Sequence, residues 1–138
     1  MKIPNLDKFT AKLIKKLKEA GFHILYYKSF NGNSHYIKLD YGLANTIRVS
    51  DHKGKSHLKY RYNIGQHIST YEQRTVVRKG WPMYFYPLCQ VDVMIKRIIN
   101  LRDSRIKTWG KDKYNNYMEV RIKENQYKKG FWAQSKEV

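Results

Sequence analysis

The stretch from Leu58 to Ile64 constrains the fold more than any other. Leu58, Tyr60, Tyr62 and Ile64 occupy every second position, with Lys59, Arg61 and Asn63 between them. Successive side chains of a strand point to opposite faces, so this pattern predicts a strand with one apolar and one polar, basic face. His35 to Leu39 repeats it, setting Ile37 and Leu39 against Tyr36 and Lys38. Asn45 to Val49 does so again, with Ile47 and Val49 against Thr46 and Arg48. Phe22 to Ser29 is β-branched and aromatic. Asn31-Gly32-Asn33 and Gly54 mark turns, and the short connections favour an antiparallel meander.

A different period precedes the strands. Leu6, Phe9, Leu13, Ile14 and Leu17 recur at three- and four-residue steps, Asn5 suits an N-cap, and Gly21 stands where a helix takes its left-handed stop. The opposite face carries Lys8, Lys12, Lys15, Lys16 and Lys18, a solvated face that also suits a phosphate backbone. Residues 65–87 hold Gly65, Gly80, Pro82 and Pro87 and read as irregular, with one short strand near Arg74 to Val77. A second helix begins near Leu88, its buried stripe formed by Val91, Met94, Ile95, Ile98 and Leu101, and is expected on the sheet face that the first helix leaves open. From Lys96 onward 12 Lys+Arg stand against 5 Asp+Glu. Lys111 to Lys123 is compatible with a strand or a helix, and the residues beyond read as a basic tail with aromatic anchors.

The fold expected is therefore α+β: an N-terminal helix, a four- or five-stranded antiparallel sheet, a second helix and a basic C-terminal tail. The 138 residues suit a single domain over 1–105 and a basic extension over 106–138, packed on it or partly flexible. No apolar run is long enough to span a bilayer, and MKIPNLDKF lacks the apolar stretch of a signal peptide. The single cysteine, Cys89, has no partner for an internal disulfide and reads as a small buried hydrophobe beside Leu88 and Val91. A soluble protein of a reducing cytoplasm is expected.

Charge narrows the partner. With 28 Lys+Arg against 11 Asp+Glu the chain carries +17, which points to an acidic partner, nucleic acid foremost. Arg48, Lys53, Lys55, Lys59 and Arg61 gather along the basic strand faces and the loop between them, and Lys12, Lys15 and Lys16 lie on the first helix. Arg102, Arg105, Lys107, Lys111 and Lys113 follow near the C-terminus with Trp109 and Tyr114 interleaved. Basic groups neutralise phosphates and exposed aromatics stack on unpaired bases, a role that suits Trp109 and Trp132 in their polar surroundings. Tyr60 and Tyr62 alternate with basic residues and read as core. No helix-turn-helix or zinc-finger pattern argues for sequence-specific DNA reading.

Two resemblances meet between Lys12 and Gly54. The run LIKKLKEAGFHILYYKSFNGNSHYIKL resembles the start of HicA-type toxins, small ribonucleases of about half this length with a double-stranded-RNA-binding-like fold. Asn33-Ser34-His35 stands where those toxins have Gly-Ser-His. That resemblance implies a metal-independent ribonuclease with His35 as general acid or base. Read by itself, His35 shares a strand face with Ile37 and Leu39 and is equally a satisfied histidine at the core's edge. The second resemblance rests on Ser34-His35-Tyr36 followed by Ile47-Arg48-Val49-Ser50-Asp51-His52, with KYRYNI downstream and a later helix. In that order these features are similar to small phage and mobile-element proteins, including some type II anti-CRISPR proteins of streptococcal phages. It implies an inhibitor in the bacterial host cytoplasm that binds RNA, such as guide RNA, or a CRISPR-Cas ribonucleoprotein, without turnover. A general nucleic-acid-binding phage accessory protein is the third reading.

The remaining constellations carry less chemistry. Asp51 and His52 are adjacent, so on a strand they point apart, and with Ser50 they read as strand-end residues that satisfy loop amides. The five histidines lack metal-site spacing, and Asp51, Glu119 and Lys123 form a nuclease-like set on paper alone. No cofactor or metal is expected.

Overall fold

The computed structural model describes residues 5–29, 33–52, 55, 58, 60–68, 72–126 and 131–138. Helix α1 (Leu6–Glu19) starts where the Asn5 side chain accepts a hydrogen bond from the Lys8 amide at 3.0 Å, and it stops before Gly21, whose φ of +90° suits a residue without Cβ. Four strands follow, β1 (Ile24–Lys28), β2 (Ser34–Leu39), β3 (Thr46–Ser50) and β4 (Arg61–Ile64), paired as an antiparallel meander. The first strand starts two residues inside the expected Phe22 to Ser29. Asn31, Gly32, Gly54, Lys53 and Lys59 lie outside the described residues.

Residues 65–87 correct the expectation. They contain two strands, β5 (Arg74–Arg78) and β6 (Trp81–Pro87), joined through Lys79 and Gly80 with φ of 53° and 80°. Both turn residues have positive φ, as a two-residue turn matched to strand twist requires. The prolines fit because of where their nitrogens point. Counting from the hairpin turn, residues 82 and 87 both fall at positions whose backbone nitrogen faces away from the strand they oppose. Pro82, opposite Val77, lies beyond the stretch of β6 that β4 pairs, and Pro87, opposite Arg61, lies beyond the stretch that β5 pairs.

Helix α2 (Val91–Trp109) follows a single 3₁₀ turn at Leu88–Gln90, and α3 (Lys111–Gln126) follows Gly110. A two-residue strand, β7 (Lys136–Glu137), pairs with β1. The sheet is therefore seven-stranded, in the order β5-β6-β4-β3-β2-β1-β7, and the fold is α+β as expected from the sequence. No helix among the described residues is long and apolar enough to cross a membrane.

Both α1 and α2 pack on one face of the sheet. Leu6, Leu13 and Leu17 of α1 share a single core with Met94, Ile95 and Ile98 of α2 and with Ile24, Ile37, Leu39, Ile47, Val49, Tyr62, Ile64 and Tyr86 of the strands. This corrects the expectation that the second helix covers the other face. The apolar members of β1 to β4 alternate onto one side, so both amphipathic helices must go there to bury their stripes. The other face is covered only in part. At its β1 end Tyr114 and Met118 of α3 pack on Leu25 and Tyr41. The Tyr114 hydroxyl donates to buried Asp40 Oδ2 at 2.6 Å, and Asp40 Oδ1 accepts the His23 amide at 2.9 Å. The chain beyond residue 105 thus continues α2, forms α3 and closes the sheet edge. Cys89 is exposed rather than buried; in its 3₁₀ turn Gln90 takes the inward position, its carbonyl accepting from the Tyr62 hydroxyl.

Candidate nucleic-acid interface

The part of the face opposite α1 and α2 that α3 leaves uncovered is a groove of about 520 Å³, within the range of pockets that hold small ligands (roughly 300–1,000 Å³). Strand register builds its floor. Tyr36, Arg48, Asn63, Phe85 and Arg74 are successive cross-strand partners from β2 to β5, so one row of side chains runs across five strands on this face. Tyr27 of β1 extends the row and stacks on Tyr36, ring centroids 5.9 Å apart. The Arg48 guanidinium lies 5.4 Å from the Tyr36 ring centre, and its Nη2 donates to Ser34 Oγ at 3.3 Å.

Trp132 borders one side of the groove, edge-on to Tyr36 and with Lys38 Nζ 4.4 Å from its ring centre. Lys55 and Arg78 add positive charge, and Met83, Val76 and Leu58 add apolar wall. Leu58 reaches this face because Tyr60, at φ 54°, breaks the alternation that the sequence showed, and β4 begins only at Arg61. Among the described residues not one Asp or Glu lines the groove. Two polar atoms of the floor row, Arg48 Nε and Asn63 Oδ1, are buried without a hydrogen-bond partner among the described residues. A buried orphan of this kind costs about 1–3 kcal/mol.

His52 fixes the loop behind the groove. Its amide donates to Ser50 Oγ at 3.0 Å, which in turn meets Ser34 Oγ at 2.7 Å. Its Nε2 is 3.1 Å from the Arg61 carbonyl, an acceptor, so Nε2 carries the ring proton. Burial, reinforced by the nearby Arg48 charge, lowers the His52 pKa to about 4. The strand-end reading of Ser50 and His52 thus matches the hydrogen bonds, and Lys55 is set in place by its amide donating to the His52 carbonyl.

The other candidate residues scatter. Lys12, Lys15 and Lys16 are exposed on α1, on the opposite side of the sheet from the groove, and Lys16 Nζ pairs with Asp92 at 2.8 Å. Arg61 Nη1 donates to the Glu72 carbonyl at 2.6 Å. Arg102 is structural: its Nη1 donates to the Ala20 carbonyl at 2.6 Å, and its guanidinium lies 4.2 Å from the Phe22 ring centre. Arg105 donates to the Leu43 carbonyl. Lys107, Lys111 and Lys113 are exposed around the α2–α3 junction, where Trp109 packs on Tyr114 and Tyr117. Of the proposed contacts, then, Arg48 and Lys55 meet in the groove, while Arg78, Asn63, Tyr36 and Phe85 join them without having been singled out. Register is the missing signal: Tyr36, Asn63 and Phe85 align with Arg48 only when the pairing of β2, β3, β4 and β6 is known, and Arg78 joins them through the β5–β6 hairpin.

His35 lies on the helix-packed face. Its side chain is 1% exposed. The Asp7 carboxylate sits 3.1 Å from Nε2 without hydrogen-bond geometry, and the Tyr26 hydroxyl is 2.6 Å from Nδ1. A carboxylate can only accept, so Nε2 holds the proton and Nδ1 accepts from Tyr26. Lys28 Nζ is 2.9 Å from the same carboxylate, and this pairing holds Asp7 below the usual carboxylate range. Burial lowers the His35 pKa despite the nearby carboxylate. Tyr26 and Lys28 become its neighbours through the β1–β2 register, and Asp7 arrives from α1 with no local signal. The arrangement has the members of a proton relay, but a substrate phosphate has no path to the ring in this conformation.

No protein-family model matches the chain, and neither the curated proteins nor the solved structures contain a match to it.

Proposed function

We propose that the chain binds RNA without turning it over, taking unpaired bases and their phosphates into the groove on the sheet face opposite α1 and α2. The composition of that groove carries the reading: Arg48, Lys55 and Arg78 supply charge, Tyr36, Phe85 and Trp132 supply ring faces, and no carboxylate opposes them. Cationic walls with aromatic platforms are what single-stranded nucleic acid needs, since phosphates release counterions and every base has a face to stack. The resemblance of Ser34–Tyr36 and Ile47–His52 to phage anti-CRISPR proteins supports a finer reading, in which the RNA is the guide of a CRISPR ribonucleoprotein that the protein inhibits.

The test is gel shift and cleavage of labelled structured RNA by the purified protein and by Arg48→Ala and His35→Ala. Binding without cleavage, weakened by Arg48→Ala and unchanged by His35→Ala, is the expected result. Cleavage that disappears in His35→Ala would replace this reading with the HicA-like ribonuclease. A guide-loaded effector that keeps full activity beside an RNA-binding protein would remove the inhibitor and leave a general nucleic-acid-binding accessory protein.

A further inference from the structure

Trp81 is 75% exposed at the tip of the β5–β6 hairpin. A single exposed ring is ordinary on a protein surface, and this one matters for where it stands. Its position along β6 gives the face. Residues two apart share a face of a strand, and Met83 and Phe85 line the groove, so Trp81 continues their column by about 7 Å. Its cross-strand partner is Arg78, which also lines the groove. The indole therefore lies just beyond the groove's lining, on the same face of the sheet.

The charge around it fits one kind of occupant. From Gln73 to Trp81 the hairpin carries Arg74, Arg78 and Lys79 and no acidic residue. Val77, 65% exposed and opposite Pro82, lies on the other face of the hairpin and takes no part in this column. An acidic protein would find the charge but gain little from a lone ring, whereas a nucleic-acid strand leaving the groove presents a phosphate and a stackable base at each step.

We propose that the β5–β6 hairpin tip extends the RNA-binding site, with Trp81 stacking on an unpaired base next to the nucleotides held in the groove and with Arg78 and Lys79 neutralising the adjoining phosphates. This inference rests on the groove reading and adds a second anchor to it. It makes the site a track that passes from Trp132 across the floor row to Trp81.

Length dependence separates the two claims. Binding of fluorescein-labelled oligouridylates from two to twelve nucleotides would be measured for the wild-type protein, Trp81→Ala and Trp81→Phe. The exposed position makes loss of folding an unlikely confounder, and circular dichroism of each variant checks it. The expected result is equal affinity of all three proteins for the shortest oligomers that bind. For the longer ones Trp81→Ala loses roughly tenfold, in keeping with one stacked base, and Trp81→Phe retains most of the affinity. Trp81→Ala indistinguishable from wild type at every length would overturn the second anchor and leave the groove reading standing. A wild-type protein that binds no oligomer of any length would overturn the groove reading, and this inference with it.

Discussion

At the scale of single residues the electrostatics make two predictions. His52 has its pKa lowered to about 4 from an ordinary 6.5, so the unfolded chain binds the proton first as pH falls. The stability that a neutral His52 contributes is whole above pH 6.5 and is lost between 6.5 and 4. At about 1.4 kcal/mol per pKa unit the loss is on the order of 3 kcal/mol. His35 is shifted in the same direction and adds to the same acid-side loss. Urea midpoints at pH 7.5 and pH 4.5 should therefore differ strongly in the wild type and less in His52→Gln, whose amide can still donate to the Arg61 carbonyl. The lowered pKa of Asp7 acts lower on the scale, where carboxylates titrate. The second prediction concerns Arg48, the one cation in the floor row that also touches an aromatic ring in it. Arg48→Ala is expected to weaken RNA binding by about 1–3 kcal/mol and to flatten the salt dependence by somewhat less than one unit of log–log slope. Fluorescence anisotropy at several salt concentrations measures both.

Secondary-structure elements show where sequence reading succeeds and where it stops. Arg102 was grouped with phosphate-binding residues because it stands in a basic run. In the fold it ties α2 to the end of α1 through the Ala20 carbonyl and covers Phe22. Arg102→Ala should accordingly lower stability by about 1–3 kcal/mol in urea unfolding while leaving RNA affinity within twofold of wild type. Tyr114 holds α3 in a similar way. Tyr114→Phe leaves Asp40 Oδ2 without its donor, so a cost of about 1–3 kcal/mol is expected, read as a lower thermal midpoint. α1 and β2 to β4 were legible because each repeats a period over enough residues to name both the element and its buried side, and β1 was legible from its β-branched and aromatic composition alone. β6 was hidden because proline is a strand breaker unless the neighbouring strands are known, and Pro82 and Pro87 are harmless only in this pairing. The floor row was hidden for the same reason: Tyr36, Arg48, Asn63 and Phe85 become neighbours through register, which a single alternating pattern does not specify. Asp7 beside His35 depends on how α1 lies across the sheet, a tertiary fact with no periodic signature.

Over the whole molecule the excess charge divides between two sides. The lysines of α1 lie opposite the groove, so they add to long-range attraction without touching a strand held there. Lys12→Gln together with Lys15→Gln should slow association at low salt and leave the affinity for short oligonucleotides at moderate salt nearly unchanged. Three groove cations alone correspond to a log–log salt slope of about −2 for a single strand, and the hairpin tip steepens it. The sheet itself is asymmetric at its ends. β7 covers the outer edge of β1 for only two residues, so that end of the sheet offers a very short edge. At the far end β5 carries no further strand among the described residues. Growth into a fibril needs two open sides on every copy, so that each molecule can both accept and offer a strand. With one edge cut to two residues, any strand pairing between copies is expected to run β5 to β5, an arrangement that stops at two molecules instead of growing.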